Sequence, residues 1–208
     1  MARRGPYAKG VAKREEILDK ALELVASAGY SRTTVRELAE AVGLSQTGLL
    51  HYFGSKEELF KEILRRRDEL DRRTFGFDPE AGGGPVDVPD GTVRLVAHNA
   101  QVPGLVQLYS RFASEAAEAG HPAHEFFGER YLLARRTFTE GVERMRQAGE
   151  LPQDLDAERL ATLALALMDG LQMQWMYDPE VDMADHLAHF WGLITGRGED
   201  GAARRESP

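Results

Sequence analysis

Cysteine is absent from this 208-residue chain, which excludes disulfides and thiolate metal sites. That suits a reducing cytoplasm, and the chain is read as cytoplasmic. No apolar run approaches the ~20 residues of a membrane-spanning helix. The opening residues, MARRGPYAKG, carry charge but no apolar segment, so no secretory signal is read there. Period-two alternation over strand length is missing, and Asp90-Gly91 follows a Gly/Pro-rich stretch rather than joining two β-branched runs. Motifs of catalysis are missing too: there is no Gly-x-Ser-x-Gly elbow, no Walker loop and no His-Glu-x-x-His helix. The chain is therefore expected to be no enzyme and to need no cofactor.

What is present is an ordinary globular composition, 42% hydrophobic and 29% charged. The net charge of −8 is unevenly spread. Residues 1–55 hold eight Lys/Arg against six Asp/Glu, and the remainder holds 18 against 28. The first 14 residues carry Arg3, Arg4, Lys9, Lys13 and Arg14 and no acid. A basic arm on an acidic body fits a protein that meets polyanionic DNA at one end only. By itself the same arm fits a solvated, disordered leader equally well.

The densest stretch is Thr33–Leu59, TTVRELAEAVGLSQTGLLHYFGSKEEL. Thr34-x-x-Glu37 and Ser55-x-x-Glu58 are capping boxes. Between them Gly43 suits a left-handed helix end and Ser45 an N-cap. A helix, a short Gly turn and a short polar helix form the pattern of a helix-turn-helix DNA reader. Leu49 and Phe53 are expected to face inward. That leaves Gln46, Thr47, Leu50 and His51 outward, where an amide can pair with adenine and an apolar group can touch a thymine methyl. Lys56, at the positive end of the next helix, suits a phosphate, and Arg3 and Arg4 suit a minor groove.

Nearly all of the rest also reads as helix. Expected segments are about 9–28, 35–42, 46–53, 56–73, 92–101, 104–119, 123–148, 157–177 and 183–195, an all-α fold of about nine helices. The domain reading is 1–55 for the DNA reader (1–8 a disordered basic arm) and 56–195 for a ligand-binding and dimerisation domain. Within the latter, 76–91, with five Gly and three Pro, reads as a flexible loop, and 196–208 as a disordered tail. The helix at 157–177 is apolar almost all round, so it must be covered on every side. With the next helix it is expected to build half of a four-helix interface with a second copy, using Leu160, Leu163, Ala164, Leu167, Leu187, Phe190, Trp191 and Ile194. The other reading is a central core helix in a monomer.

These residues resemble the TetR family of bacterial transcriptional regulators. The likeness rests on Gly29-Tyr30, Thr33-Thr34-Val35, Leu38-Ala39, Val42-Gly43-Leu44-Ser45, Leu49, His51-Tyr52-Phe53 and Ser55-Lys56-Glu57-Glu58-Leu59, about a quarter of the chain. It implies a dimeric repressor that a small molecule releases from a pseudo-palindromic operator. It places Gln46, Thr47, Gly48, Leu50 and His51 at the major groove. Thr34, Tyr52 and Lys56 would hold phosphates, with Thr33 and Ser45 helping. The family often has Tyr where this chain has Leu50, so a hydroxyl usually aimed at the DNA backbone is missing there.

The effector is not legible. Pocket candidates are Asn99, Tyr109, Phe112, Phe127, Tyr131, Arg135, Met168, Gln172, Trp175 and Met176. The apolar ones serve equally as plain core, but a buried amide such as Asn99 or Gln172 must be satisfied or line a cavity. Two rivals remain. One is a DNA-binding regulator without a small-molecule effector. The other is a helical enzyme or carrier using His186-x-x-His189 with Asp182 and Asp185 as a metal site, for which no third ligand is evident.

Overall fold

The structure is a computed structural model that describes residues 6–28, 34–78 and 85–196. Those residues form nine α-helices: α1 (Pro6–Ala28), α2 (Val35–Ala41), α3 (Gln46–Phe53), α4 (Lys56–Thr74), α5 (Val88–Asn99), α6 (Pro103–Ala116), α7 (His124–Gln147), α8 (Ala157–Tyr177) and α9 (Met183–Thr195). None is long and apolar enough to cross a membrane. The chain divides into two compact units, Met1–Leu70 with Val102–Phe127, and Asp71–Gln101 with Gly128–Pro208.

The first unit is built around the inward stripe of α1. Ile17, Leu18, Ala21 and Val25 are buried with Leu38 and Ala39 of α2, Leu49 and Phe53 of α3, and Leu59, Phe60 and Ile63 of α4. On α6, Leu108, Tyr109 and Phe112 join the same core. Polar ties fix α1 against α4. Arg66 Nε donates to Asp19 Oδ1 at 2.9 Å, and Arg14 Nη2 lies 3.0 Å from Glu62 Oε2. The hydrogen bond to Asp19 raises the Arg66 guanidinium above its ordinary range. Arg67 is buried and donates to the Leu105 carbonyl at 3.3 Å.

The second unit has its own core, in which Val88, Val96, Phe138, Val142, Ala161, Ala164, Met168, Leu187 and Trp191 are buried. The indole of Trp191 donates to Thr92 Oγ1 at 3.0 Å, and that hydroxyl donates to the Val88 carbonyl at 2.7 Å. A buried N–H and a buried O–H are thus both satisfied, as burial requires. Two glycines let backbones approach. A Cβ on Gly141 would collide with the Val88 side chain, and one on Gly91 would come within 2.8 Å of the Phe75 carbonyl.

Several boundaries differ from the sequence reading. Helix α5 begins at Val88, inside the stretch read as loop, because Asp87 caps it by accepting from the Asp90 N–H at 3.0 Å and Pro89 sits in its first turn. Helix α1 begins at Pro6 rather than about Lys9, so Pro6–Ala8 are helical and not part of a disordered arm. Helix α6 ends at Ala116, three residues early, and the positive φ of Gly120 falls in the turn beyond it. Arg3, Arg4, Thr33, the Gly29-Tyr30 pair and the tail beyond Gly196 lie outside the described residues.

Candidate nucleic-acid interface

Helix α2 starts at a complete capping box. The Glu37 N–H donates to Thr34 Oγ1 at 3.2 Å, while the Thr34 N–H donates to Glu37 Oε2 at 2.7 Å. The turn that follows is made by Gly43 at φ +70, a conformation that costs a residue with a Cβ. Ser45 then caps α3, its Oγ accepting from the Gly48 N–H at 3.0 Å. A Cβ on Gly48 would crowd that oxygen at 3.2 Å, so glycine there keeps the cap undisturbed. Gly54, at φ +86, ends α3, and Ser55 Oγ accepts from the Glu58 N–H at 3.1 Å to open α4.

These caps bear on anion binding. At Thr34 and Ser45 the hydroxyl oxygen accepts from the helix, which leaves each O–H proton to be donated outward. Both side chains are exposed. Ser45 and Lys56 sit at the N-termini of α3 and α4, where the helix dipole favours negative charge. Lys56 is exposed, its ammonium 5.4 Å from the centre of the Phe60 ring. Arg36, by contrast, is held by its own helix: its Nε donates to Glu40 Oε1 at 2.9 Å, and that bond raises the guanidinium above its ordinary range.

Between these ends the surface of α3 is laid out by its anchors. Leu49 and Phe53 are buried, and the guanidinium of Arg14 lies 5.0 Å from the centre of the Phe53 ring. Gln46, Thr47 and His51 are exposed, with Gly48, Leu50 and Tyr52 half-buried beside them. The His51 and Tyr52 rings meet edge to face at 6.4 Å. The structure thus brings Ser45, Gln46, Thr47, Gly48, Leu50, His51, Tyr52 and Lys56 together along one short helix and its two ends. Thr34 stands at the start of the preceding one.

The pocket candidates are not brought together in one unit. Tyr109, Phe112 and Phe127 belong to the first, where their rings pack on one another at 5.8–5.9 Å. Asn99, Tyr131, Arg135, Met168, Gln172, Trp175 and Met176 belong to the second. There the Tyr131 hydroxyl donates to Asp169 Oδ2 at 2.6 Å. Asp169 was missed by the sequence reading, although a carboxylate inside so apolar a helix is itself a signal. Gln172 is buried and its Nε2 donates to the Met168 carbonyl at 3.3 Å. Its Oε1 is buried without a hydrogen-bond partner, a state that costs about 1–3 kcal/mol.

The residues proposed for an interface between copies also divide. Leu160, Ala164, Leu187 and Trp191 are buried in the core of the second unit. Leu167, Phe190 and Ile194 are half-buried against it, and Leu163 is 61% exposed. The large apolar side chains left exposed on these two helices are Leu163, Met173 and Tyr177 of α8 and Leu193 of α9. His186 Nδ1 lies 2.7 Å from the Asp182 carbonyl, and the described residues contain no group of three side chains able to hold a metal at His186 and His189.

Comparison with known proteins places this geometry. A profile of bacterial regulatory proteins of the tetR family matches residues 17–63, which hold α2 and α3. A profile of the C-terminal part of BetI-type transcriptional repressors matches residues 96–190. The transcriptional repressor KstR2 of Rhodococcus jostii is 47% identical over 130 residues, 61% of this chain. That match spans just over half, 55%, of the repressor's own length. A TetR-family regulator from Rhodococcus sp. has a crystal structure similar to this one with a TM-score of 0.66 at 20% identity, covering 89% of this chain and 99% of that one. A transcriptional regulator of Saccharomonospora viridis, solved in complex with choline, has a TM-score of 0.60 at 24% identity, covering 88% and 94%.

Proposed function

The chain belongs to the TetR family of bacterial transcription regulators, which are not enzymes, and from that premise we propose that it is a homodimeric repressor released from its operator by a small molecule. The observation that carries the reading is the outer surface of α3. Gln46, Thr47 and His51 are exposed over a fully buried Leu49, and exposed cap hydroxyls and Lys56 flank them at helix N-termini. Polar side chains so anchored read base edges, and donors at helix ends hold phosphates.

In this reading Gln46 pairs with a base edge, and Leu50 meets a thymine methyl or the sugar wall. Thr34, Ser45, Tyr52 and Lys56 grip phosphates on either side. Thr33 extends that grip, and Arg3 and Arg4 enter the minor groove. Two copies joined through the exposed face of α8 and α9 present two α3 helices, which demands a two-fold-symmetric operator with half-sites about 34–36 Å apart. A ligand that binds better to the dimer with its readers spread apart lowers operator affinity by at most that difference in affinity. Helix α4, whose single run of residues contributes to both units, is the element that carries the change.

The test is selection from random duplexes at moderate salt, followed by sequencing of what is retained. Enrichment of an inverted repeat is the expected result. No enriched motif, with no retention even at low salt, would overturn the regulator reading.

A further inference from the structure

We infer that the effector is an apolar molecule bearing a hydroxyl or N–H donor, and that this donor bonds to Oε1 of Gln172. The inference rests on the reading of the second unit as the effector-binding part, and it names the chemistry of that ligand.

Gln172 is 5% exposed, and its Oε1 is, among the described residues, the one buried side-chain polar atom without a partner. The orientation of the amide is not arbitrary. Its other end lies 3.3 Å from the Met168 carbonyl, an acceptor, so the NH2 must face that carbonyl and the oxygen must face away. The missing group is therefore a donor.

A second observation points to the same end of α8. The buried stripe of this helix runs through Ala157, Ala161, Ala164, Met168, Leu171 and Gln172. At helical spacing Trp175 continues that stripe, three residues beyond Gln172 and four beyond Leu171. Yet Trp175 is only half-buried, as is Met176 beside it. Trp175 packs against the core of the second unit and is only partly covered by it. An apolar body placed on the exposed part of the indole beside Met176 completes that cover, and its donor meets Gln172.

The probes are benzyl alcohol, benzyl methyl ether and ethylbenzene, titrated into the full chain without DNA and followed by tryptophan fluorescence and thermal midpoint. The alcohol alone carries a donor. In the wild type it should bind saturably and more tightly than the ether. Its advantage over ethylbenzene should fall by about five- to tenfold in Gln172→Met, the worth of one neutral hydrogen bond. Unliganded Gln172→Met should melt at or above the wild type, because the orphaned oxygen is gone.

Several results would overturn the inference. They are no saturable binding of the alcohol to the wild type, equal affinity for alcohol and ether, or an unchanged alcohol-to-ethylbenzene ratio in the variant. A midpoint lowered by several degrees in both Gln172→Met and Gln172→Leu would do the same, because Oε1 would then already be satisfied, by an enclosed water. The comparison of alcohol with ether uses the wild type alone, so it holds even if a variant fails to fold. Since no DNA is present, a failed result here leaves operator binding standing, and a failed operator selection leaves the probe result standing.

Discussion

The two units bury similar side chains for different ends. In the first, the α2–α3 segment is closed on itself: each cap hydroxyl has its N–H, each turn glycine its positive φ, and the outward face of α3 is left polar. In the second, the interior keeps an acceptor with no donor, and the exterior keeps Leu163, Tyr177 and Leu193 at 61%, 86% and 65% exposure. A finished surface that is polar waits for water or a polyanion. An unfinished one, apolar outside and unsatisfied inside, is what the proposed function assigns to a second copy and a ligand. The first unit carries its function in a few adjacent residues, and the second carries its proposed one in groups left uncovered or unsatisfied.

The largest expected break in this contrast is Trp191→Ala. It removes a buried indole and the N–H that the Thr92 oxygen accepts, though the Thr92 hydroxyl still donates to the Val88 carbonyl, and should cost about 3–5 kcal/mol in chemical denaturation. Because the cores are separate, hydrogen exchange should quicken in α5, α8 and α9 while α1–α3 keep their protection. Equal loss in both would mean the units melt as one.

Next comes Leu163→Asp, a charge at an exposed position, which should leave the fold and thermal midpoint nearly unchanged. It should convert the dimer to monomer by sedimentation and weaken operator binding at least about tenfold, since the second half-site is lost. A stable dimer would show that the exposed face of α8 is not the interface.

Smaller again is Gln46→Ala, which should lose about 1–3 kcal/mol of discrimination at one position of each half-site. Competition between the operator and single-base variants measures it, and unchanged discrimination would remove Gln46 from the reading set. The smallest effect is that of Lys56→Ala, which should weaken binding to all sequences alike and reduce the salt slope by about one. An unaltered slope would rule out that phosphate contact.

The reader was legible in the sequence because its signals are local. Thr34 and Glu37, or Ser45 and Gly48, lie within one turn of each other, and their types alone dictate the hydrogen bond. The start of α5 was misread for the opposite reason. Pro89 and Gly91 look like loop residues, but Asp87 caps the helix, Pro is welcome in a first turn, and Gly91 is needed where the chain passes close to Phe75. The second unit was legible only in outline. Apolarity on every face of α8 said that it must be covered, but whether by its own core or by another copy depends on tertiary packing. The structure assigns Leu160 and Ala164 to the core and leaves Leu163 outside. Of the pocket candidates, the amide of Gln172 was the informative one, since an apolar residue in the same place would leave nothing unsatisfied.

The most direct test of the account is the mass of the protein on its selected operator duplex, by sedimentation at a salt concentration that suppresses non-specific binding. Two protomers per duplex, with one remaining neither on a single half-site nor after Leu163→Asp in the full site, is the result expected of a dimeric reader. One protomer bound tightly to the whole site, or equal occupancy by wild type and Leu163→Asp, would contradict it.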